Sequence, residues 1–598
     1  MQISTRLCSA LLAGLMASSA FAADGVGARW AKAFDGKTTA GDNGTEIAID
    51  ANGNALFLNT LGSKEGATDI YFGSQLLFEG SPYTGTSNDN NFDLTKVDAA
   101  GNPLWTIYTK SGDCASSQGG VAIAADGGVV FVAKVRQTDG KTEPVTFVDA
   151  TGATFDIAFD SEKRYFCLVI GKANADGKIT WIKKIDVEHG KAPASDNDFT
   201  AEAIYCRGVA VAQDGNIFIG GNFRMPVLFE GHKVTPRNTA AWDGNSQTAT
   251  GDLFIARYNA DGTCTDVLVP EGNAMQTEQI LGLEADGDNI YFQGFATPAA
   301  DGEKSFTLGG KQLLLGEAAS PFVGVLNSAD MAVNWVSVMQ GYQVAGAAAY
   351  QNSSLTVGRD ALWLTAQCNG EFRSEGNTAL AVATTQGKLR EGVLMKFKKS
   401  DGTFVGGVNS REGFDGMAAT ALTGYMGTIE NDGNRVMVYG YGMNAQVGCY
   451  LRTYNAETLQ PEPENTYNIL KSTAAGMSAL NIAYNAESNT AYVTARSNKG
   501  VTAAGLDETA APSGWAVFAA NFNVPEEAFT ALAEVTADAR EANVSIAQGS
   551  VTVAAGTQAV VVADVLGRIH ALVEANTEST VKLANGIYII GGKKYIVK

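Results

Sequence analysis

Apolar and polar positions alternate with a period of two along most of this chain, in short runs on either side of a turn built from Asp or Asn and Gly. FDLTKVDAAGNPLW (Phe92 to Trp105) is one such unit, and GGVAIAADGGVVFVA (Gly119 to Ala133) is another. Alternation of this kind places one face of a strand in a core. The Asx and Gly residues tolerate the positive φ of a tight turn, so each unit predicts a β-hairpin.

Both units recur in fixed order. The first returns as FCLVIGKANADGKITW (Phe166 to Trp181), LFIARYNADG (Leu253 to Gly262) and FVGVLNSADMAVNW (Phe322 to Trp335), and more loosely at Leu394 to Gly402 and Tyr450 to Thr458. The second returns as TEIAIDANGNALFL (Thr45 to Leu58), RGVAVAQDGNIFIG (Arg207 to Gly220) and LGLEADGDNIYF (Leu281 to Phe292). Looser copies follow at Leu355 to Leu364, Asn431 to Gly440 and Leu480 to Val493. Two hairpins per repeat make a four-stranded blade. The repeats are longer than the roughly 40 to 50 residues of compact propeller repeats, so loops are inserted between strands.

The two ends of the array complement each other. GWAVFAANF (Gly514 to Phe522) has the first strand of a hairpin with no partner after it, and GARWAKAFDG (Gly27 to Gly36) has the Trp strand with none before it. Together they complete one blade. The expected fold is therefore all-β: a seven-bladed β-propeller over 27–522, closed by N- and C-terminal strands that share a blade and leave no open sheet edge.

Composition agrees with that fold and narrows the partners. The 598 residues include 68 glycines, are 45% hydrophobic and only 18% charged, and carry a formal net charge of −20. That balance argues against disorder and against nucleic acid or an anionic membrane surface as partner, since either needs a concentrated basic patch. Beyond the N-terminus no run of about 20 apolar residues exists that could span a membrane. Residues 1–22 read as a secretory signal peptide, with Arg6, an apolar region including Leu11 to Met16, and Ala20-Phe21-Ala22 before the cleavage point. The expected location is secreted or at the cell surface.

Cys114, Cys167, Cys206, Cys264, Cys368 and Cys449 follow the signal peptide at wide spacings with no CxxC, which predicts buried thiols rather than a disulfide framework, although a Cys114–Cys206 bridge stays open. His189, His232 and His570 lie in separate segments and suggest neither a metal site nor a catalytic triad. Asp50 to Gly53, Asp126-Gly127 and Asp214-Gly215 lack the bidentate Glu of a calcium loop and read as turns. No cofactor, metal or catalytic residue is expected.

Three resemblances add to this reading. Trp105, Trp181 and Trp335, placed shortly after their turns, resemble the tryptophan-docking repeat of quinoprotein propellers. Those usually have eight blades and often an adjacent cysteine pair, which this chain lacks, so the resemblance implies a packing wedge between blades. IYFGSQLLFEGSPYTGTSNDNNFDLTKVDAAGNPLW (Ile70 to Trp105), with VLFEGHKVT (Val227 to Thr235) and FTLGGKQLLL (Phe306 to Leu315), resembles the SBBP-type repeat of secreted bacterial propellers. That family implies a fold and an extracytoplasmic location, and no single activity. Residues 543–598, with Asp564-Val565-Leu566-Gly567-Arg568, Leu583 and Gly586-Ile587-Tyr588-Ile589-Ile590, resemble the C-terminal sorting domain of type IX secretion substrates. This implies a small β-sandwich-like domain that engages the secretion machinery; residues 523–542 read as a linker.

Strand order also divides the propeller into two faces. With the Gly/Ala-rich strand (Val121 to Ala125, for example) innermost and the Trp strand outermost, the Asp-Gly turns share one face and the long connections share the other. Loops of that kind commonly carry function. They hold Tyr83, Trp242, Phe372 and Arg373 as candidate binding residues, with Trp242 in AAWDGNSQ suited to stack on a sugar or anchor a protein. These features favour a binding protein for a glycan or protein ligand over a carbohydrate-active or peptide-cleaving enzyme, or a purely structural surface protein.

Overall fold

The computed structural model describes residues 27–524 and 542–597, less intervening segments that include 81–88, 188–203, 238–250 and 412–422. The chain divides into two compact units, Met1–Pro525 and Glu526–Lys598. Residues 1–22 and 525–541, read above as signal peptide and the greater part of a linker, lie outside the described residues. The regular structure described is β-strand throughout, and among the described residues no helix is long and apolar enough to cross a membrane.

The larger unit is a β-propeller. Its first blade is an antiparallel meander of Asn43–Ile49, Ala55–Ser63, Asp89–Val97 and Pro103–Thr109. Among the described residues six more four-stranded meanders begin with Asp113–Ile123, Ile204–Val211, Thr277–Asp286, Ala349–Val357, Thr423–Glu430 and Ser478–Asn485. These first strands pack side by side in chain order, and the last of them lies against Asn43–Ile49, which closes a ring around a central axis. The final blade takes its fourth strand from the other end of the array. Ala28–Asp35 pairs antiparallel with Ala516–Asn523, with Lys32 opposite Ala519 and Phe34 opposite Val517.

The second strands are the most apolar, as strands covered on both faces must be: Ala55–Ser63 and Ile217–Phe223 are buried at every residue. The main core is thus not one central cluster. It runs between neighbouring blades, where Leu56, Phe131, Ile170, Ile219 and Phe254 belong to one continuous apolar layer.

The Trp strand was expected to be outermost, and here the structure differs. It is the fourth strand, and in several blades a hairpin lies outside it. Asp69–Phe72 and Gln75–Glu79, inserted in the first blade, pair onto Ala28–Asp35 of the last. Val145–Val148 and Thr154–Ile157 extend Pro103–Thr109 in the same way. Val227–Phe229 with His232–Val234 extends Ile179–Val187, and Glu371–Ser374 with Asn377–Ala383 extends Val333–Tyr342. Each hairpin comes from the connection between second and third strands of one blade and covers the edge of the blade before it. An uncovered fourth strand would present a row of unpaired N–H and C=O groups to other chains. Much of the sequence read as surface loop is therefore spent at the rim, joining blade to blade.

Tryptophans form a second joint. The Trp30 indole N–H donates to Ala99 O at 3.2 Å, that of Trp105 to Ala175 O at 3.0 Å and that of Trp181 to Ala260 O at 3.1 Å. Each acceptor sits in the turn between third and fourth strands of the next blade. Gly101, at φ +82, lies under the Trp30 ring, where a Cβ would come within 2.9 Å of it. In the third and fifth blades, whose fourth strands carry no Trp, a cation from the third strand makes a similar link. Arg257 donates to Ser328 O at 3.1 Å, and Lys396 donates to Ala456 O at 2.7 Å. The tryptophans are wedges between blades, in keeping with their expected packing role.

Cys114, Cys167, Cys206, Cys264 and Cys449 are buried free thiols, and burial pushes each thiol pKa up. The side chain of Cys368 lies outside the described residues.

The smaller unit packs a three-stranded sheet (Ala542–Ala547, Ser550–Ala555, Glu578–Lys582) and a four-stranded sheet (Val560–Asp564, Ile569–Val573, Gly586–Ile590, Lys593–Val597). Val551 and Val553 from one sheet share a core with Val562, Tyr588 and Ile590 from the other. Residues 565–568, part of the sorting-domain resemblance, are outside the described residues.

Candidate functional site

The first strand of every blade carries the same irregularity. Its register against the second strand slips between Gly44 and Glu46, Cys114 and Gly119, Cys206 and Gly208, Ile280 and Gly282, Gln351 and Ser354, Tyr425 and Gly427, and Ala479 and Asn481. A β-bulge adds residues to one strand and re-aims a side chain that would otherwise alternate. In four blades the added residue is Arg207, Leu281, Met426 or Leu480, and all four line a cavity on the propeller axis. The bulges thus convert small-residue strands into a ring with side chains at its centre.

The axial cavity has a volume of about 190 Å³ and draws wall residues from all seven blades. Its wall is of mixed chemistry. Asn43, Glu46, Arg207, Ser354 and Asn481 supply polar groups, and Leu281, Leu283, Leu355, Met426 and Leu480 supply apolar ones, with Leu283 on the blade next to that of Arg207. Arg207 is the one cation among the described lining residues. Its Nε is shut off from solvent and has no hydrogen-bond partner, and burial pulls its pKa below the usual guanidinium value.

Two glutamates brace the inner ring. Glu46 Oε2 accepts the Val121 N–H of the next blade at 2.7 Å, and Glu284 Oε2 accepts the Val357 N–H at 2.9 Å. Burial pushes Glu46 up to about 8 against the opposing pull of that N–H, with repulsion from Glu284 adding to the rise. Burial likewise raises Glu284 to about 7. Asp93, held by Asn59 Nδ2 at 2.8 Å and by the Thr95 hydroxyl at 2.7 Å, is raised by burial to about 7. Near neutral pH Glu46 is largely protonated and can donate a hydrogen bond, while Glu284 and Asp93 are close to half-protonated.

A pH dependence follows. A carboxyl raised on folding contributes stability that is complete below its unfolded pKa, near 4.5 for Glu, and is lost as pH rises through the folded value. The thermal midpoint should therefore fall between pH 5 and about 8.5, by several degrees, since a tenfold difference in proton affinity between folded and unfolded chain corresponds to roughly 1.4 kcal/mol. Glu46→Gln should flatten this slope in a thermal melt series. A midpoint that climbs across the same window would contradict the assignment.

The residues singled out from sequence fall in different places. Phe372 is buried at 1% exposure in the core between the fourth and fifth blades, so its ring is not offered to a ligand. Arg373 lies beside it on the rim hairpin, where Nε donates to Glu371 at 2.6 Å and the guanidinium lies 4.7 Å from the Tyr342 ring. The expectation that these two sit on a surface loop is corrected by the hairpin, which turns that segment into sheet. Tyr83 and Trp242 lie outside the described residues, as does His189. His232 is exposed at a hairpin tip and His570 packs edge-on against Tyr588, 5.4 Å away. Among the described residues no group of three or more His, Cys, Asp and Glu is placed to hold a metal.

Sequence reasoning passed over Arg207 and Glu46. The available signal was a charged residue next to the Gly/Ala-rich first strand, in CRGVAV and TEIAID, where alternation alone assigned neither to the axis.

No protein-family model and no curated protein matches the chain. Several solved structures are similar at low identity. A protein of unknown function from Dyadobacter fermentans is 11% identical, covering 69% of this chain and 96% of its own, with a TM-score of 0.34. BamB from Moraxella catarrhalis is 12% identical over 81% of this chain and 99% of its own, with a TM-score of 0.30. The quinohemoprotein alcohol dehydrogenase from Comamonas testosteroni is 10% identical over 83% of this chain and 76% of its own, with a TM-score of 0.34. Likeness at this level carries no function across to this chain.

Proposed function

We propose that this chain is a secreted or surface-displayed propeller that binds a glycan or protein ligand on the face bearing the connections between blades. The observation that supports this reading is the polarity of the ring. In six blades the described residues turn tightly between first and second strands, and the strands that flank 188–203 and 238–250 end at the other side of the ring. The described wall of the axial cavity has Ser354 as its one hydroxyl and no histidine beside it, so a nucleophile–base pair does not support an enzymatic reading there.

Trp242 remains the residue to test on that face. With the chain lacking its leader applied to glycan and protein arrays, Trp242→Ala should reduce binding to the ligand found by about tenfold or more without changing the thermal midpoint. Unchanged affinity would remove Trp242 from the site. The SBBP-type and sorting-domain resemblances support export as the route by which this face meets its ligand. Deletion of residues 543–598 should then hold the protein in the periplasm, and normal surface display of the truncated chain would refute the sorting role.

A further inference from the structure

We propose that the axial cavity is a binding site for a small organic monocarboxylate, with the carboxylate paired to Arg207 and the apolar body seated against Leu281, Leu283, Leu355 and Met426. The proposal does not rest on the glycan or protein reading, and its test stands or falls without it.

Charge points to an anion. A guanidinium has five N–H donors and cannot shed its proton in a protein, so it needs either solvent or an anion. Arg207 has no ion-pair partner among the described residues, and its Nε is both unpartnered and out of solvent. The two glutamates of the inner ring turn Oε2 to the Val121 and Val357 N–H groups of neighbouring blades, and neither forms an ion pair with Arg207. A cation at the centre of a ring, with its Nε–H unpartnered and out of solvent, favours an anionic ligand. A carboxylate matches the planar fork of the guanidinium with two parallel hydrogen bonds.

Shape points to an organic one. Arg207 reaches the axis only because its strand bulges there, between Cys206 and Gly208. Gly208, the residue after Arg207, lets this strand pack closely on the next blade: a Cβ there would come within 2.8 Å of Leu283. The apolar side chains that share the cavity with Arg207 are unsuited to a bare inorganic ion, which would lose hydration there without replacement. They suit a short hydrocarbon attached to the charged head. Glu46, Arg207, Leu355, Met426 and Leu480 all keep partial solvent exposure, so the cavity communicates with the outside.

Calorimetric titration of the full secreted chain with acetate, butyrate, hexanoate, butyramide and inorganic phosphate tests the assignment. Butyrate or hexanoate should bind saturably at one site per chain and more tightly than acetate, and butyramide should bind at least about tenfold more weakly. Arg207→Gln should abolish the butyrate response while leaving the thermal midpoint of the ligand-free protein unchanged or raised, because an unpaired charge has been removed. Butyramide binding as well as butyrate, or phosphate binding where butyrate does not, would overturn the proposal. So would an absence of any carboxylate binding, and the wild-type comparison of acid with amide stands whether or not the variant folds.

Discussion

Arg237→Ala should lower the stability of the propeller by about 3–5 kcal/mol, the range found when one partner is removed from a buried ion pair. Arg237 comes from the connection between second and third strands of the third blade. It pairs with Asp252 at 3.1 Å and with Glu278, and donates to the Asn273 carbonyl at 2.8 Å. Asp252 stands on the third strand of the same blade and Glu278 on the first strand of the next, so the three groups join blades three and four. The side chains of Asp252 and Glu278 are 3% and 0% exposed. One cation between two buried carboxyls leaves one charge in excess. Burial resolves it by raising Glu278 to about 8, despite Arg237, so that Glu278 keeps a proton at neutral pH beside an Arg237–Asp252 ion pair. Two substitutions therefore separate the roles. Arg237→Ala strands Asp252 and is severe, whereas Glu278→Gln preserves a neutral partner and should cost under about 1 kcal/mol in urea melts at pH 7. Equal losses from both would mean that Glu278 is ionised.

Trp30→Ala should be comparably damaging, at about 3–5 kcal/mol for a large aromatic removed from a core. The Trp30 ring meets Phe57 of the first blade, Tyr492 of the last and Phe72 of the rim hairpin, with centroids 6.4, 6.1 and 5.7 Å away. It is 6% exposed, and its N–H reaches across the closure to Ala99. The same substitution at Trp181, which keeps more of its ring in solvent and joins two blades in mid-array, should cost measurably less. Denaturant melts of the two variants compare the seam with an ordinary joint.

The parts of this molecule that follow local rules were legible in the sequence. Alternation around Asx-Gly turns located the strands, and the half-blades at Ala28–Asp35 and Ala516–Asn523 foretold their pairing. The spacing of Trp105 and Trp181 after their turns foretold a wedge. What could not be read depends on which strand neighbours which. The rim hairpins have ordinary hairpin patterning, and nothing local says that residues 69–79, 145–157, 227–234 and 371–383 will pair with the preceding blade. Phe372 and Arg373 consequently read from sequence as surface-loop residues. The bulges were hidden for a related reason: an inserted residue such as Arg207 or Met426 breaks alternation by one position, which resembles a weak strand until the partner register is known. Arg207 as an axial residue belongs to that class.

The central claim is that a strand from the start of the array and one from its end close the ring. Native-state hydrogen exchange on the unmodified protein reads this directly. Amides of Ala28–Asp35 that pair with Ala516–Asn523 should show protection close to that of the latter strand, because both would open only with the blade they share. Rapid exchange across residues 28–35, with 516–523 still protected, would contradict the closure.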